Sequence, residues 1–569
     1  MQEADGPVMA LAAEVAASVA ASDLMARTAR YTVPGRLSGS PALETMLGRV
    51  AEDLRSLGLG VHEGRVRALT SRPGRALVRL GGTIYPGQSA AFAAPAVDRR
   101  GPACRFAGSE AAEWPGRVLV LSGLPTADAV ALAQASEARA LVCLVPDAGP
   151  HLVGVSPVWG SPTPWTVGNL PSMPVAVLAG EVAASLAARL EPWDPTSPPP
   201  PLSVTAGVDT RWRDIPYLTA DLAGPDDAFV LAGAHADAWF DGAMDNAAGV
   251  AALVEAAAAL AAPGVPLRRG LRLGIWSGHE DAGRAGAQSY ADSHWQGLEQ
   301  SAALYVQVAA PGGRGNADLG GLGALPEAAF LVRDAVAAVA RAVWQGPGGV
   351  GPAGDRSFAG IGLGSAHVGG GRPPDDPAWP HGRAWHSPDD RLDHLDPTLL
   401  ARDAAVAAHV LAHAALRPLE PVDLAEGARA LEAAVTLWAE RLRGHLDLRG
   451  AARRAASLVE RSETLERASA AVAAPGPELN VALRRAGRLV VRLGATATSR
   501  FDHDAALPLG PLPTLSVCES LLGTPPGSAP ADLAGVAAQR ARTAVEVSLD
   551  EAGERVAAAL ALTDSRRRR

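Results

Sequence analysis

The sequence contains no lysine; arginine supplies all 51 of its basic side chains. That excludes a phosphate cradle of the Gly-x-x-x-x-Gly-Lys-[Ser/Thr] type. The glycine-rich stretch 354–371, with Asp355, Arg356, Ser357 and Phe358 near its start, reads instead as a substrate-side loop. Cysteine is scarce as well. Cys104, Cys143 and Cys518 are far apart and odd in number, so neither a disulfide framework nor a thiolate metal site is expected, and buried thiols are. A basic excess is missing: 60 acidic against 51 basic side chains leave a net charge of −9. A nucleic-acid partner needs a basic face and is not expected. The arginine run 566–569 reads as a solvated tail. No uncharged apolar run reaches the roughly 18 residues of a membrane span. The nearest, 247–265, is broken by Glu255. The N-terminus has acids and no basic n-region, and reads as an amphipathic helix, not a signal peptide. A soluble, cytoplasmic protein without a membrane partner is the expectation. A Gly-x-Ser-x-Gly elbow after a strand is absent too, which removes the serine-hydrolase reading.

What is present is ample material for a core. Hydrophobic residues make up 48% of 569 positions, and a chain of that length suggests about three or four domains. Abundant glycine and proline, 61 and 46, read as compositional bias of the source genome. Residues 1–80 look mostly helical: Ser40 and Pro41 open a helix through Leu57, and Gly58 stops it. Residues 86–205 alternate short apolar runs (118–121, 140–145, 174–178) with a helical stretch 126–137, a small α/β unit. It ends in a stiff proline linker through 198–201. From 215 to 415 strands at 229–233, 271–276 and 304–308 alternate with helices at 247–262 and 286–298. That pattern predicts an α/β fold, a mostly parallel sheet with helices on both faces. Residues 421–569 read as helices, with clear periodicity over 424–446 and 451–474. The expected domains are 1–85 with 206–420, an insert 86–205, and a helical domain 421–569.

Four segments gather chemistry. Gly233-Ala234-His235-Ala236-Asp237 follows a strand, and Asp245-Asn246-Ala247-Ala248-Gly249 opens a helix. Ser277-Gly278-His279-Glu280-Asp281-Ala282-Gly283 follows the next strand, and Trp385-His386-Ser387-Pro388-Asp389-Asp390 lies in a late loop. Ligands of such sheets bind beyond the carboxyl ends of the strands. Imidazole with carboxylate is an ordinary Zn²⁺ donor set, and two metals about 3.5–4 Å apart need a bridging carboxylate.

These segments resemble the motifs of the co-catalytic zinc aminopeptidases, and within them the glutamate carboxypeptidase/transferrin receptor-like group. The resemblance implies a zinc exopeptidase acting on a peptide or small amide, of aminopeptidase or carboxypeptidase type. It implies His235 and His386 as metal ligands, Asp245 as the bridge, and Asp237 and Asp390 as carboxylates orienting the two histidines. Aligned on its glycines, the third segment makes Glu280 the general base and Asp281 a ligand. Aligned on Trp276, it puts His279 in the base position and Glu280 in the ligand position. Where the family expects an acidic ligand after the next strand, this chain has Ala309. The position of His235 then keeps only His235 and Asp245, while Asp245, Asp281 and His386 hold the other. One zinc is expected where the family has two, with Asp318 a weak substitute for the lost ligand. A non-catalytic binding or scaffold protein is the alternative. The resemblance further implies a protease-associated insert at 86–205, and a homodimer through the C-terminal helices.

Overall fold

The computed structural model describes residues 6–106, 113–147, 149–191, 198–346, 356–371, 381–472, 475–525 and 527–567. The expectations for residues 354–355, for the linker's first half and for the last two arginines lie outside them. The strands are β1 (Gly60–Leu80), β2 (Thr83–Ser89), β3 (Ala96–Arg105), β4 (Val118–Ser122), β5 (Ala140–Val145) and β6 (Val175–Ala179). There follow β7 (Pro201–Leu222), β8 (Phe229–His235), β9 (Gly270–Trp276), β10 (Ala302–Ala309), β11 (Gly323–Ala324) and β12 (Gly364–Gly369). The helices are α1 (Gly6–Ala17), α2 (Ala21–Tyr31), α3 (Pro41–Ser56), α4 (Ala127–Ala135), α5 (Gly180–Leu190), α6 (Gly249–Leu260) and α7 (Ala285–Ser293). They continue as α8 (Trp295–Ser301), α9 (Ala329–Ala335), α10 (Pro397–Leu416), α11 (Leu424–Arg441), α12 (Arg449–Ala470), α13 (Pro477–Ala495) and α14 (Ala529–Arg567).

Among the described residues the strands form one sheet, ordered β1-β2-β6-β5-β4-β3-β7-β9-β8-β10-β12-β11. The whole sheet is mixed; within 215–415, where a mostly parallel sheet is expected, β9, β8, β10 and β12 run parallel, flanked by antiparallel β7 and β11. Two parallel blocks, β3-β4-β5-β6 and β9-β8-β10-β12, are joined by the antiparallel ribbon of β1 and β7. Residues 60–80 are therefore strand, not helix. Their exposed Arg65 and Arg67 and internal Gly64 and Pro73 hide the pattern, and pairing with β7 along almost the whole length overrides local preference. The stretch 364–369, expected as loop, is β12. Its Ala366 and Val368 are buried, and it pairs in parallel with β10.

Helix α3 starts where its cap chemistry dictates: Ser40 Oγ accepts from Leu43 N–H at 3.2 Å and Pro41 occupies the first turn. Helix α6 packs with α1, α2 and α10 over β8 and β10 in the main core, and Leu253 within it is fully buried. Truncating such a leucine to alanine costs about 2–5 kcal/mol. Separate clusters cover the two faces of β3–β6, and another lies among α11–α14. All three cysteines are unbridged and buried. Among the described residues two helical stretches, 243–260 and 397–416, are long and apolar enough to cross a membrane, and the bent pair α1–α2 passes only if taken as one span; the two stretches are 89% and 83% buried inside the protein. That burial makes them core elements of this fold.

Candidate metal centre

The carboxyl ends of β9, β8, β10 and β12 share one rim, and the loops leaving them carry the four segments. His235 is the last residue of β8. Its Nε2 lies 3.1 Å from Asp245 Oδ1, and its Nδ1 faces the main-chain carbonyl of Asp237 at 3.0 Å. Asp245 sits in a wide turn, Ala243–Ala248, that runs into α6, and its bond to Asn246 is cis. Asn246 anchors that turn to β10. Its amide donates to Val308 O at 3.1 Å and accepts from Ala310 N–H at 3.0 Å. Gly249 is required below it, because a Cβ there would collide with the Asn246 side chain.

The second oxygen of Asp245 serves the opposite side. Oδ2 lies 3.2 Å from His386 Nε2 and accepts from Trp385 Nε1 at 2.7 Å. Glu280 Oε1 closes the group, 3.1 Å from the same His386 nitrogen. That contact is close but not aligned as a hydrogen bond, and Oε1 has no hydrogen-bond partner among the described residues. Ligand atoms of His235, Asp245 and Glu280 all lie within 4.8 Å of one another, and all three residues are buried. Imidazole and carboxylate lone pairs thus converge in a buried space, which fits a divalent ion of the zinc type.

The charges tell the same story. Burial pulls both histidines down, but the carboxylates outweigh it. Asp245 and Glu280 hold His235 up at about 9, and Glu280 and Asp245 hold His386 up at about 10. Burial pushes Asp245 up, yet its bonds to His235 and His386 carry it well below the usual carboxylate range. Two carboxylates here demand positive charge, which the imidazoles supply as protons.

Asp281 does not join this group. Its carboxylate is fully buried, lines no part of the cavity, and has no hydrogen-bond partner among the described residues. Burial, then the charge of Asp237, pushes it up to about 7. Its carbonyl accepts from Ser71 N–H at 2.6 Å. His279, in contrast, lines the cavity, and its ring stacks on His235 with centroids 4.0 Å apart. Burial and the neighbouring His235 hold its pKa well below the usual value.

The carboxylates of Asp237 and Asp390 hold main-chain N–H groups, and Asp237 meets the His235 ring through its carbonyl alone. Asp237 accepts from Glu280 N–H at 2.8 Å and His279 N–H at 3.2 Å. Asp390 accepts from Met244 N–H at 2.7 Å and Asp245 N–H at 3.0 Å. Each carboxylate therefore fixes the loop that carries the next ligand, because buried N–H groups demand acceptors. This corrects the expectation that they orient the histidines. Asp318 is exposed and accepts from the cavity-lining Gly320 N–H at 3.3 Å, but is not itself among the lining residues.

Sequence reasoning missed two supports from the first segment of the chain. Ser38 Oγ accepts from Gly278 N–H at 2.8 Å and donates to Asp237 at 3.4 Å. Buried Arg36 donates to the carbonyls of Ala236 at 3.0 Å, Asp241 at 2.5 Å and Gly242 at 2.8 Å. Nothing in the motif strings points to either, since both act across about 200 residues.

The cavity above the rim measures about 580 Å³. One wall comes from the β2–β6 unit, through Phe92, Asp128, Val153 and Ser156. That wall is tied to both ligand loops: Leu152 N–H donates to His386 O at 3.1 Å, and Gly160 N–H to Gly283 O at 2.6 Å.

Residues 218–411 match the model of peptidase family M28. The matched span contains all four ligand segments. No curated protein matches the chain significantly. Solved structures that resemble it include a peptidase M28 precursor from Shewanella amazonensis, 20% identical with a TM-score of 0.57, covering 73% of this chain and 99% of that one. The aminopeptidase from Aneurinibacillus sp. strain AM-1 is 18% identical, TM-score 0.54, covering 72% and 97%. A zinc aminopeptidase from Bacillus subtilis is 18% identical, TM-score 0.53, covering 70% and 96%. At this identity the likeness is one of fold.

Proposed function

We propose that the protein is a zinc-dependent exopeptidase-type hydrolase of peptides or small amides. It works from one tight metal position made by Asp245, Glu280 and His386. The observation that carries this reading is the approach of His386 Nε2 to Asp245 Oδ2 at 3.2 Å and to Glu280 Oε1 at 3.1 Å, inside the span that matches family M28. Bound zinc supplies a Lewis acid that polarises a scissile carbonyl and lowers the pKa of its water.

The geometry favours the register in which Glu280 is a ligand and His279 stands in the base position. Asp281 is too remote from the cavity to serve as a ligand. His279 lines the cavity, with its ring stacked on that of His235 at 4.0 Å between centroids. Trp385 fixes the bridging carboxylate by its hydrogen bond to Asp245 Oδ2. The wall from the β2–β6 unit lines one side of the cavity, the part a protease-associated insert plays. Aminopeptidase action is favoured over carboxypeptidase action. Two of the solved structures that share this fold are aminopeptidases, one of them a zinc aminopeptidase. A homodimer through the C-terminal helices belongs to the same reading, since Leu533, Val536 and Val547 are exposed on α14.

The test is zinc content and aminoacyl-anilide hydrolysis of protein purified without chelator. About one tight zinc per chain is expected, with activity lost on chelation and reduced about 10²–10⁴-fold in His279→Gln. Protein that takes up no zinc and hydrolyses nothing is the binding protein of the alternative, and overturns the proposal.

A further inference from the structure

The loop that carries His386 is anchored at its ends and bridged in its middle. At one end Asn316 Nδ2 donates to His381 O at 3.0 Å. At the other, Asp390 holds the turn before α6 by accepting from Met244 and Asp245 N–H. The middle lies between two cavities. Trp385 and His386 line the one above the rim, and Arg383, Ala384 and Ser387 line another of about 490 Å³. Open space on two sides leaves part of the loop without packing, so hydrogen bonds carry more of its placement.

Three contacts reach that middle from the segment between β5 and β6. Buried His151 donates through Nδ1 to Trp385 O at 2.7 Å. Leu152 N–H donates to His386 O at 3.1 Å. Arg383 pairs with Asp147. His386 itself has a φ of 59°, a left-handed conformation that its Cβ disfavours and that persists only where neighbours impose it. The effect passes directly to the donor atoms. The Trp385 ring stacks on the His386 imidazole with centroids 3.6 Å apart, and its Nε1 donates to Asp245 Oδ2 at 2.7 Å. A shift of the Trp385 main chain therefore moves a ligand and the support of the bridging carboxylate together.

We propose that His151 is a positioning residue for the metal centre, and that docking of the β2–β6 unit onto loop 383–386 is coupled to zinc binding. The inference rests on the proposed function, because the loop matters through His386. Docking sets the imidazole in place before the ion arrives. By reciprocity the ion, which holds His386, tightens the docking contacts.

Competition with a chromogenic chelator, on the full chain, tests it without reference to activity. His151→Phe keeps a ring and removes the donor, whereas His151→Asn removes the ring and keeps a donor near the place of Nδ1. Zinc affinity should fall about 10-fold in His151→Phe and stay within about 3-fold of the parent in His151→Asn. A role in packing alone predicts the reverse order. Thermal melting checks that each variant is folded, and His151→Leu is a second donor-free variant with the same expected loss. Amide hydrogen exchange reads the reciprocal effect. Zinc should slow exchange over 149–155 in the parent, and slow it less in His151→Phe. A donor-free variant with parental affinity, or His151→Asn as weak as His151→Phe, overturns the positioning role and leaves the tight site standing. Exchange over 149–155 that is indifferent to zinc overturns the coupling. A chain that binds no zinc overturns the proposed function, and this inference with it.

Discussion

Two clusters of buried charge among the described residues are built on opposite principles. At the junction between the sheet and the C-terminal helices, Glu420 is surrounded by arginines. Its Oε1 accepts from Arg484 Nε at 2.6 Å, and its Oε2 from Arg484 Nη2 at 3.0 Å and Arg269 Nε at 3.4 Å. Arg488 turns to the carbonyls of Leu298 at 3.1 Å and Glu299 at 3.2 Å, and Arg269 to that of Arg417 at 2.6 Å. Burial would push Glu420 up, but Arg269 and Arg484 outweigh it and hold its pKa down. At the rim, by contrast, Glu280 Oε1 lines the cavity and finds no hydrogen bond among the described residues. The junction satisfies its charges internally and so holds elements together. The rim keeps donor atoms open and aimed at a cavity, a state that gains free energy when a cation arrives.

Exchanging a charge in each cluster should therefore have opposite signatures. The largest effect expected is on ligand binding at the rim. His386→Ala should take tight zinc from about one equivalent to near zero, with the apo protein melting close to the parent. Elemental analysis beside calorimetry reads both quantities. A variant that keeps its zinc would show that Asp245 and Glu280 do not need the imidazole. At the junction the signature reverses. Glu420→Ala leaves Arg269 and Arg484 buried without a carboxylate, a change that costs about 3–5 kcal/mol. Urea unfolding should show that loss while zinc stoichiometry stays at its parental value.

A third change sharpens the contrast with a lone acid beside the same junction. Glu327 is buried under α11, and its Oε2 has no hydrogen bond among the described residues. Burial pushes it from its ordinary 4.5 up to about 7. The folded state therefore favours the protonated acid. The stability tied to that proton is fully present below the unfolded value of 4.5 and is lost as pH rises through about 7. Glu327→Gln should remove the loss. At about pH 8 the variant should be more stable by up to about 3 kcal/mol, and at about pH 4 the gain should vanish. Urea midpoints across that range check it; a gain equal at both ends would assign the effect to packing.

The contrast also explains what could be read from the residues alone. His235, Asp245, Glu280 and His386 stand in strings that announce strand ends and a helix start, and the parallel strands β8, β9 and β10 show as short apolar runs. The roles within the third segment could not be read that way. Glycine spacing points to Asp281 as ligand, but the turn after β9 directs Glu280 and His279 to the cavity and buries Asp281 beside Asp237. Strand β12 was concealed by its glycines. The ribbon of β1 and β7 gains its stability from pairing across more than a hundred residues, which no local pattern encodes. Arg36 and Ser38 support the site from the same distance. The Glu420 cluster joins three separate elements, none with a distinctive sequence.

The smallest effect expected lies where the two principles meet, at Asp237. This carboxylate is fully buried like Glu420, yet its work is to hold the rim. It accepts from the N–H groups of His279 and Glu280, and from the hydroxyl of Ser38. Asp237→Asn keeps the shape and one acceptor oxygen, while its amide must face an N–H that it cannot accept from. Glu280 then loses part of its fixed backbone, and a ligand that must be ordered on binding binds more weakly. Partners of this kind are worth about 10–100-fold in metal affinity, and an isosteric change that spares one acceptor belongs at the lower end, about 10-fold. Competition with a chromogenic chelator measures it. If zinc affinity stays within about 2-fold of the parent while the melting temperature falls, Asp237 resembles Glu420 in kind, a buried charge that serves the fold and not the ligand loop.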